Sequence, residues 1–338
     1  MLDSYRRGSA SFDIGPACLF NLNIYRFMKI YSLCVAAVVA AALFAGCHGT
    51  PSGTEMNVAS YNLRYVNDDD SLAGNGWSAR YPVLAKLVLF HDFDIFGTQE
   101  GYKRQLDDLV SQLPGYDYIG VGRNDGKDGG EHAAIFYRTD RFDVVDHGDF
   151  WLSETPSEPS VGWDAVLPRI CTWGHFREKT SGREFMFFNL HMDHVGKQAR
   201  VESAGLVRQK MKELGKGLPV ILTGDFNVDQ THSSYRALVS DSMLLDSYCA
   251  AELCYATNGT FNSFRTDGYT DSRIDHIFVS PDFEVAKYGV LTDTYRTAND
   301  TVAMKADDAP EEIEFRRYTS RTPSDHFPIK AVLKLAAK

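Results

Sequence analysis

The chain has 338 residues, 44% hydrophobic and 24% charged, with 35 Lys+Arg against 45 Asp+Glu and a formal net charge of −10. The composition is that of a globular protein, long enough for one large domain or two small ones. The acidic balance repels polyanions and counts against a dedicated DNA-binding enzyme.

The N-terminal stretch reads as a leader. Ile30 to Ala45 is an apolar run of 16 residues preceded by Lys29, short for a membrane-spanning helix and suited to a secretory signal. Met28 is the expected start, with residues 1–27 an upstream extension. Leu43-Phe44-Ala45-Gly46-Cys47 resembles a bacterial lipoprotein box, in which a lipid is attached to the Cys and the peptide is cut before it. Phe44 departs from the usual aliphatic residue there, and an ordinary signal peptide or an uncleaved anchor are the other readings. Residues 1–46 are thus assigned as extension plus signal, 47–56 as a tether, and 57–336 as one domain. Cutting before Cys47 leaves 31 Lys+Arg against 43 Asp+Glu, a net charge of about −12. Acidic runs after the Cys resemble surface-export signals; His48-Gly49-Thr50-Pro51 has none, so the periplasmic face of an outer membrane is expected rather than the cell surface.

Beyond the tether, Met56–Asn62 alternates like a strand, and Trp77–Phe90 has helical spacing. Asp94–Glu100 is a strand ending on a carboxylate; a helix carrying Leu106, Leu109, Val110 and Leu113 follows. Tyr116–Val121 is a strand, and Gly122–Glu131 a Gly/Asp-rich loop. Ala133–Arg138, Phe142–Leu152 and Ile170–Arg177 read as antiparallel strands. Phe185–His191 is another strand, and Gly196–Gly215 a helix. Leu218–Leu222 is an apolar strand running into Gly224-Asp225-Phe226-Asn227. Gly224 permits close backbone approach, and on an extended backbone Asp225 and Asn227 share a face. A small helix near Ser233–Val239, strands Ile274–Val279 and Val285–Leu291, an irregular acidic segment over 296–322 and a last strand, His326–Leu335, complete the chain. Helices between strand pairs suggest two packed sheets flanked by helices. Of six cysteines, Cys171, Cys249 and Cys254 lie in the domain. Their spacing argues against zinc. Cys249 and Cys254 pair as a disulfide, or all three are buried free thiols.

Polar residues gather at the strand ends: Asn62, Glu100, His191 with Asp193, Asp225 with Asn227, Asp275 with His276, and Asp325 with His326. Any one alone is a turn former, a helix cap or a core histidine; six such places together are not. The motifs Ser60-Tyr61-Asn62, Gly97-Thr98-Gln99-Glu100, Asn189-Leu190-His191-Met192-Asp193, Gly224-Asp225-Phe226-Asn227, Ser272-Arg273-Ile274-Asp275-His276-Ile277 and Ser324-Asp325-His326-Phe327-Pro328, in this order, resemble the endonuclease/exonuclease/phosphatase superfamily over about 57–336. The resemblance implies a deoxyribonuclease-I-like α/β fold, a four-layer α/β/β/α sandwich of two mostly antiparallel sheets flanked by helices. It also implies metal-dependent phosphoester hydrolysis, and leaves the substrate open. Pro168-Arg169-Ile170-Cys171-Thr172-Trp173 and Asp293-Thr294-Tyr295 resemble a bacterial branch. Leu190 stands where a Thr is common.

Phosphoester hydrolysis needs charge neutralisation, an aligned water and a stabilised leaving oxygen. Glu100, with Asn62 and Asp325, is suited to Mg²⁺ or Mn²⁺. Asp225 orients or deprotonates the water, with Asn227 beside it. Asp275 holds His326 charged, and His191 donates to a phosphate oxygen. Asn62, Arg123, Arg169 and Asp193 are assigned to substrate, with Arg64 a further phosphate contact. His194 and His276 are left between site and core. The expected function is hydrolysis of a small, lipid- or glycan-linked phosphoester by a monomer anchored through Cys47, with nucleic acid disfavoured; a periplasmic nuclease and a non-catalytic binding lipoprotein are the alternatives. The segment 296–322, with Arg316, Arg317 and Arg321 near its end, is expected to form a rim that holds one phosphate.

Overall fold

A computed structural model describes residues 55–305 and 307–335. The first sheet has seven strands in the order β12-β14-β17-β1-β2-β6-β4, and the second has six in the order β11-β13-β10-β9-β8-β7. In the first, β1 (Glu55–Asn62) lies parallel to β2 (Ile95–Gln99) and antiparallel to β17 (Ile329–Leu335). β17 is interior, with β14 (Phe283–Val290) on its other side, then β12 (Leu253–Tyr255); β6 (Ile135–Arg138) and β4 (Tyr116–Ile119) complete the far edge. In the second, β10 (Val220–Asp225) lies parallel to β9 (Glu184–His191) and antiparallel to β13 (Asp275–Val279). β8 (Ile170–Glu178) and β7 (Phe142–Trp151) extend one side and β11 (Leu245–Asp246) the other. All these residues belong to one compact unit.

Side-chain alternation along the strands builds the layers. On β9, Phe185 and Phe187 point between the sheets, where they meet Val58, Ile95, Ile221, Ile277, Ile329 and Leu333. Met186 and Phe188 point outward against α4 (Lys197–Gly215) and α5 (Ser233–Val239), through Ala204, Val207, Met211 and Leu238. On the other outer face, Tyr61, Phe96 and Phe136 pack under α2 (Trp77–Phe90) and α3 (Lys103–Gln112) through Leu84, Val88, Leu106 and Leu109. Strands buried on both faces read as near-continuous apolar runs, which is why their sequences were so legible. The result is the α/β/β/α sandwich. A short helix, α1 (Asp68–Leu72), follows the loop after β1, and a one-turn helix, α6 (Ser247–Ala250), follows β11.

Between the sheets the apolar layer is interrupted by a small buried polar cluster centred on Asn189. Asn189 Oδ1 accepts from Gln99 Nε2 at 2.7 Å and Thr223 Oγ1 at 3.0 Å, and its Nδ2 donates to the carbonyls of Thr98 at 2.8 Å and Ala134 at 3.0 Å. Every polar atom of the amide is met, so the buried group stabilises one relative position of the sheets instead of costing its desolvation. Gly97 is what makes room: a Cβ there would overlap Asn189 Oδ1 and Thr223 Oγ1.

Three expectations are corrected. The segment over 296–322 is not irregular: β15 (Tyr295–Met304) and β16 (Phe315–Arg321) form an antiparallel ribbon with a register shift between Ala298 and Ala303. Its exposed, charged strands bury no alternating apolar face, so no periodicity marked them. The Gly/Asp-rich loop holds β5 (Glu131–His132), which pairs with β3 (Gly101–Tyr102). Cys171 is a buried free thiol, whereas Cys249 and Cys254 are exposed and unpaired. The leader, Cys47 and most of the tether lie outside the described residues; the tether's last two assigned positions, Glu55 and Met56, already belong to β1. No helix among the described residues is long and apolar enough to cross a membrane.

Candidate active site

The parallel pair in each sheet ends at the same rim of the sandwich, and strand register delivers the site residues there in rows. Asp225 lies opposite His191 of β9 on one side and Asp275 of β13 on the other. Asn62 ends β1 opposite Gln99 of β2, and Glu100 follows at once. Close strand approach is built in at Gly224, where a Cβ would overlap the Leu190 carbonyl oxygen. Leu190 itself packs in the apolar layer under α4. The chain then turns sharply: Arg64, Glu100 and Asn227 all have left-handed backbones, with φ of 56°, 66° and 50°. Each costs about 1–3 kcal/mol for a non-glycine residue, strain that clusters at functional sites. The Asp225–Asn227 turn is therefore not extended. Asp225 Oδ1 accepts from the Asn227 amide at 2.9 Å, an Asx-turn that still aims both side chains into the pocket.

The loops are pinned from below by Arg80, which sequence reading missed. Its buried guanidinium donates to the carbonyls of Leu63 at 2.8 Å, Arg64 at 3.1 Å and Pro323 at 2.9 Å. It thereby ties the turn after β1 to the Ser324-Asp325-His326 segment. Ser324 Oγ adds a bond to the Asn62 carbonyl at 2.7 Å.

These elements enclose a pocket of about 720 Å³. On one wall, Asp275 Oδ2 accepts from His326 Nδ1 at 2.8 Å, and His326 Nε2 stands 3.8 Å from Asp225 Oδ2. Burial alone would strip His326 of its proton; the Asp275 carboxylate outweighs it and holds the imidazolium well above its ordinary range. Asp225, fully buried and next to Asp275, is pushed up to about 7. Asn62 Nδ2 donates to both Glu100 Oε1 and Asp225 Oδ2 at 3.0 Å. Its carbonyl oxygen accepts from the Arg64 amide at 2.9 Å, so the side chain ties two carboxylates to the turn after β1.

On the opposite wall, His191 Nε2 accepts from Asn227 Nδ2 at 3.1 Å and Arg169 Nη1 at 3.2 Å. Burial, Arg169 and Arg123 hold the ring neutral, well below its ordinary range. Its Nδ1 faces Glu131 Oε2 at 3.7 Å. In this arrangement His191 steers Asn227 and Arg169, and its proton faces Glu131. Arg169 Nη2 reaches His194 Nδ1 at 2.9 Å, and its Nε is fixed by Asp193 Oδ1 at 3.1 Å. Asp193 does not line the pocket. Its other oxygen accepts from the amides of Val195 at 3.0 Å and Gly196 at 2.7 Å, where α4 begins, so it positions Arg169 instead of touching substrate.

Arg123 is clamped by Glu131 at 2.7 Å. Glu131, which borders both Arg123 and His191, carried no sequence signal because it sits at the end of a loop rather than of an apolar strand. Arg64, with Nη1 3.5 Å from Asp325 Oδ2, is the more exposed arginine of the pocket. Among the described side chains, none of β15 or β16 lines it; Arg321 is spent on the Ala73 carbonyl and Asn75 at the α1–α2 turn. His276 is a core histidine, fully buried among Phe226, Tyr235 and Phe278.

The donor set fits a hard divalent cation. Carboxylate oxygens of Glu100 and Asp225 lie within 4.8 Å of each other; His191, within the same distance of both, already spends its Nε2 lone pair on Asn227 and Arg169. Asp325 stands close enough that Glu100, after burial, raises its pKa. Carboxylates crowded in a buried rim repel one another unless a cation sits among them.

Comparison with known proteins agrees. The pattern of the Endonuclease/Exonuclease/phosphatase family matches residues 59–326. A mannosyl-6-phosphatase from Bacteroides thetaiotaomicron is 64% identical, covers 82% of this chain and 99% of its own, and superposes with a TM-score of 0.77. An endonuclease/exonuclease/phosphatase family protein from the same species is 62% identical over 85% of this chain and 100% of its own, with a TM-score of 0.79. A protein of Acanthamoeba polyphaga mimivirus is 29% identical over 160 residues, 45% of this chain. The chain spans 43% to 60% of the length of the curated relatives it matches. With its motifs in order and its polar residues gathered at one rim of an α/β/β/α sandwich, this chain belongs to the endonuclease/exonuclease/phosphatase family.

Proposed function

We propose that the protein is a divalent-metal-dependent phosphoester hydrolase acting on a sugar phosphomonoester, with mannose 6-phosphate units as its substrate class. The reading is carried by the Asp275–His326–Asp225 chain, which Asn62 links directly to Glu100, and the substrate class is supported by the likeness to the mannosyl-6-phosphatase. Glu100 and Asp325 would hold Mg²⁺ or Mn²⁺, with Asn62 fixing the Glu100 carboxylate. The ion, when bound, supplies positive charge that withdraws electron density from the phosphoryl group.

The chain's own residues do the rest. Asp225, whose carboxyl is raised by burial and by the neighbouring Asp275, is matched to accept a proton from an attacking water. Asn62 and the Asn227 amide fix the orientation of its two oxygens. His326 presents a charged Nε2–H to a non-bridging phosphoryl oxygen, held ready by Asp275. Arg64 lines the same pocket as a further cation for the phosphate, while the Nδ2 of Asn227 is held by His191 and the Met192 carbonyl. Cys47 carries a lipid that anchors the enzyme facing the periplasm; loss of detergent partitioning in Cys47→Ala tests this.

The decisive experiment measures phosphate release from mannose 6-phosphate beside bis-p-nitrophenyl phosphate and duplex DNA, each with and without EDTA. The sugar phosphate is expected to be cleaved fastest and all hydrolysis to stop in EDTA. Preferential cleavage of DNA would overturn the substrate class, and full activity in EDTA the metal dependence.

A further inference from the structure

Beside the catalytic pocket runs a second concavity of about 580 Å³, and the two share Phe261 and Ile274 as a common wall. It is cut into the loop over 256–274, and that loop is bound to the catalytic segment. The amides of Asn262 and Ser263 donate to the Asp325 carbonyl at 2.7 and 3.0 Å, and the Phe327 amide donates to Thr260 at 2.7 Å. Ser263 and Phe264 are held with left-handed φ of 53° and 58° to make this turn. The groove is therefore set at a defined distance from His326, whose ring meets Phe261 edge-on at 5.0 Å.

Its chemistry is of one kind. Tyr269, 77% exposed, and Phe261, 43% exposed, present aromatic surface to solvent within a single groove. Between them stand planar polar groups: Asn262, whose amide lies beneath the surface, and the exposed Arg265, paired with Asp267 at 3.2 Å. The single cation is neutralised by its neighbour, so the groove lacks the positive field a polynucleotide requires. Aromatic surface beside planar donors and acceptors, without net charge, suits a saccharide: the C–H faces of a pyranose lie on the rings and its hydroxyls meet the exposed Arg265–Asp267 pair.

We propose that this groove is a saccharide subsite, which holds the sugars attached to the phosphorylated unit while the phosphate occupies the catalytic pocket. The proposal rests on the sugar-phosphatase reading and adds a preference to it. A phosphate on O6 of a terminal mannose leaves C1 free to carry the rest of the glycan, and the shared Phe261–Ile274 wall gives that remainder a path. Substrates longer than one sugar then gain binding that a lone monosaccharide does not.

The test uses the full chain with Mg²⁺, as wild type, Tyr269→Ala and Tyr269→Phe, on two substrates: mannose 6-phosphate and an α-linked mannobiose bearing the 6-phosphate on its terminal sugar. Wild type is expected to favour the disaccharide in kcat/KM by roughly tenfold. Tyr269→Ala removes that preference through KM, leaving mannose 6-phosphate turnover unchanged, and Tyr269→Phe retains it. Saturation-transfer NMR with unphosphorylated α-mannotriose reads the groove without catalysis: transfer in wild type, lost in Tyr269→Ala. If the disaccharide has no advantage and the triose receives no transfer, the subsite is refuted. If neither sugar phosphate is cleaved yet the triose still binds in a Tyr269-dependent way, the subsite stands and the phosphatase reading falls.

Discussion

Replacing Asp275 by Asn removes one charge from the centre of the site with almost no change in shape. The carboxylate oxygen lies 2.8 Å from His326 Nδ1, and both side chains are at most 5% exposed, so water screens the pair little. Two unit charges about 4 Å apart at an effective dielectric of about 20 attract by about 4 kcal/mol, and the Asp275–His326 pair is closer than that. An Asn either accepts from Nδ1 with no countercharge or turns its amide to donate, which forces the other tautomer. In both cases the imidazolium loses about 4 kcal/mol of support, equivalent to roughly a 10³-fold fall in kcat. The assay is phosphate release at saturating substrate, with His326→Ala as the reference for complete loss and a urea melt to confirm folding. A kcat within about threefold of wild type for Asp275→Asn, beside an inactive His326→Ala, would show that the carboxylate does not sustain the ring's charge.

Three further outcomes are expected. Activity should disappear in EDTA and return with Mg²⁺ or Mn²⁺, while Glu100→Gln keeps the wild-type melting temperature but needs far more metal; an unchanged metal titration for Glu100→Gln would remove Glu100 from the donor set. Gly97→Ala drives a methyl into Asn189 and Thr223, and overpacking of this kind should destabilise by about 1–3 kcal/mol in urea melts; an unchanged midpoint would mean the sheets tolerate a wider spacing. His276, kept neutral by burial below its ordinary range, binds a proton in the unfolded chain before it does so in the folded one, so its contribution is complete above about pH 6.5 and is lost as pH falls toward its folded value. His276→Phe should therefore flatten the loss of stability between about pH 6.5 and 5, by up to about 1.4 kcal/mol per pH unit; identical slopes for the two proteins would contradict this.

What could be read from the sequence was whatever a buried strand imposes on it. Asn62, Glu100, His191 and Asp225 each follow an apolar run whose end is marked by its change of character, and the structure brings all four to one rim. The same logic cannot rank residues once there. Asn62 and Asp193 read as ligand or substrate contacts from their place at strand ends, and nothing in that pattern foretells their partners: Glu100 and Asp225 for Asn62, the start of α4 for Asp193. Glu131 and Arg80 act through contacts with residues distant in sequence, which no local pattern encodes. The β15–β16 ribbon escaped because an exposed hairpin has no buried face to impose an alternation.

The position of β17 bears on when the site comes into being. It occupies the middle of its sheet, yet it is translated after β14 and β1, the strands on either side of it. Until it is inserted, β1 has an open edge and the sheet is two pieces. His326 lies just ahead of β17, so the same late step that closes the sheet also seats the imidazole against Asp275. A ribosome stalled upstream of Ile329 thus releases a chain that is both split through the centre of a sheet and chemically incomplete. Assembly of the fold and arming of the site are one event, and a partly made protein has no catalytic rim to misuse.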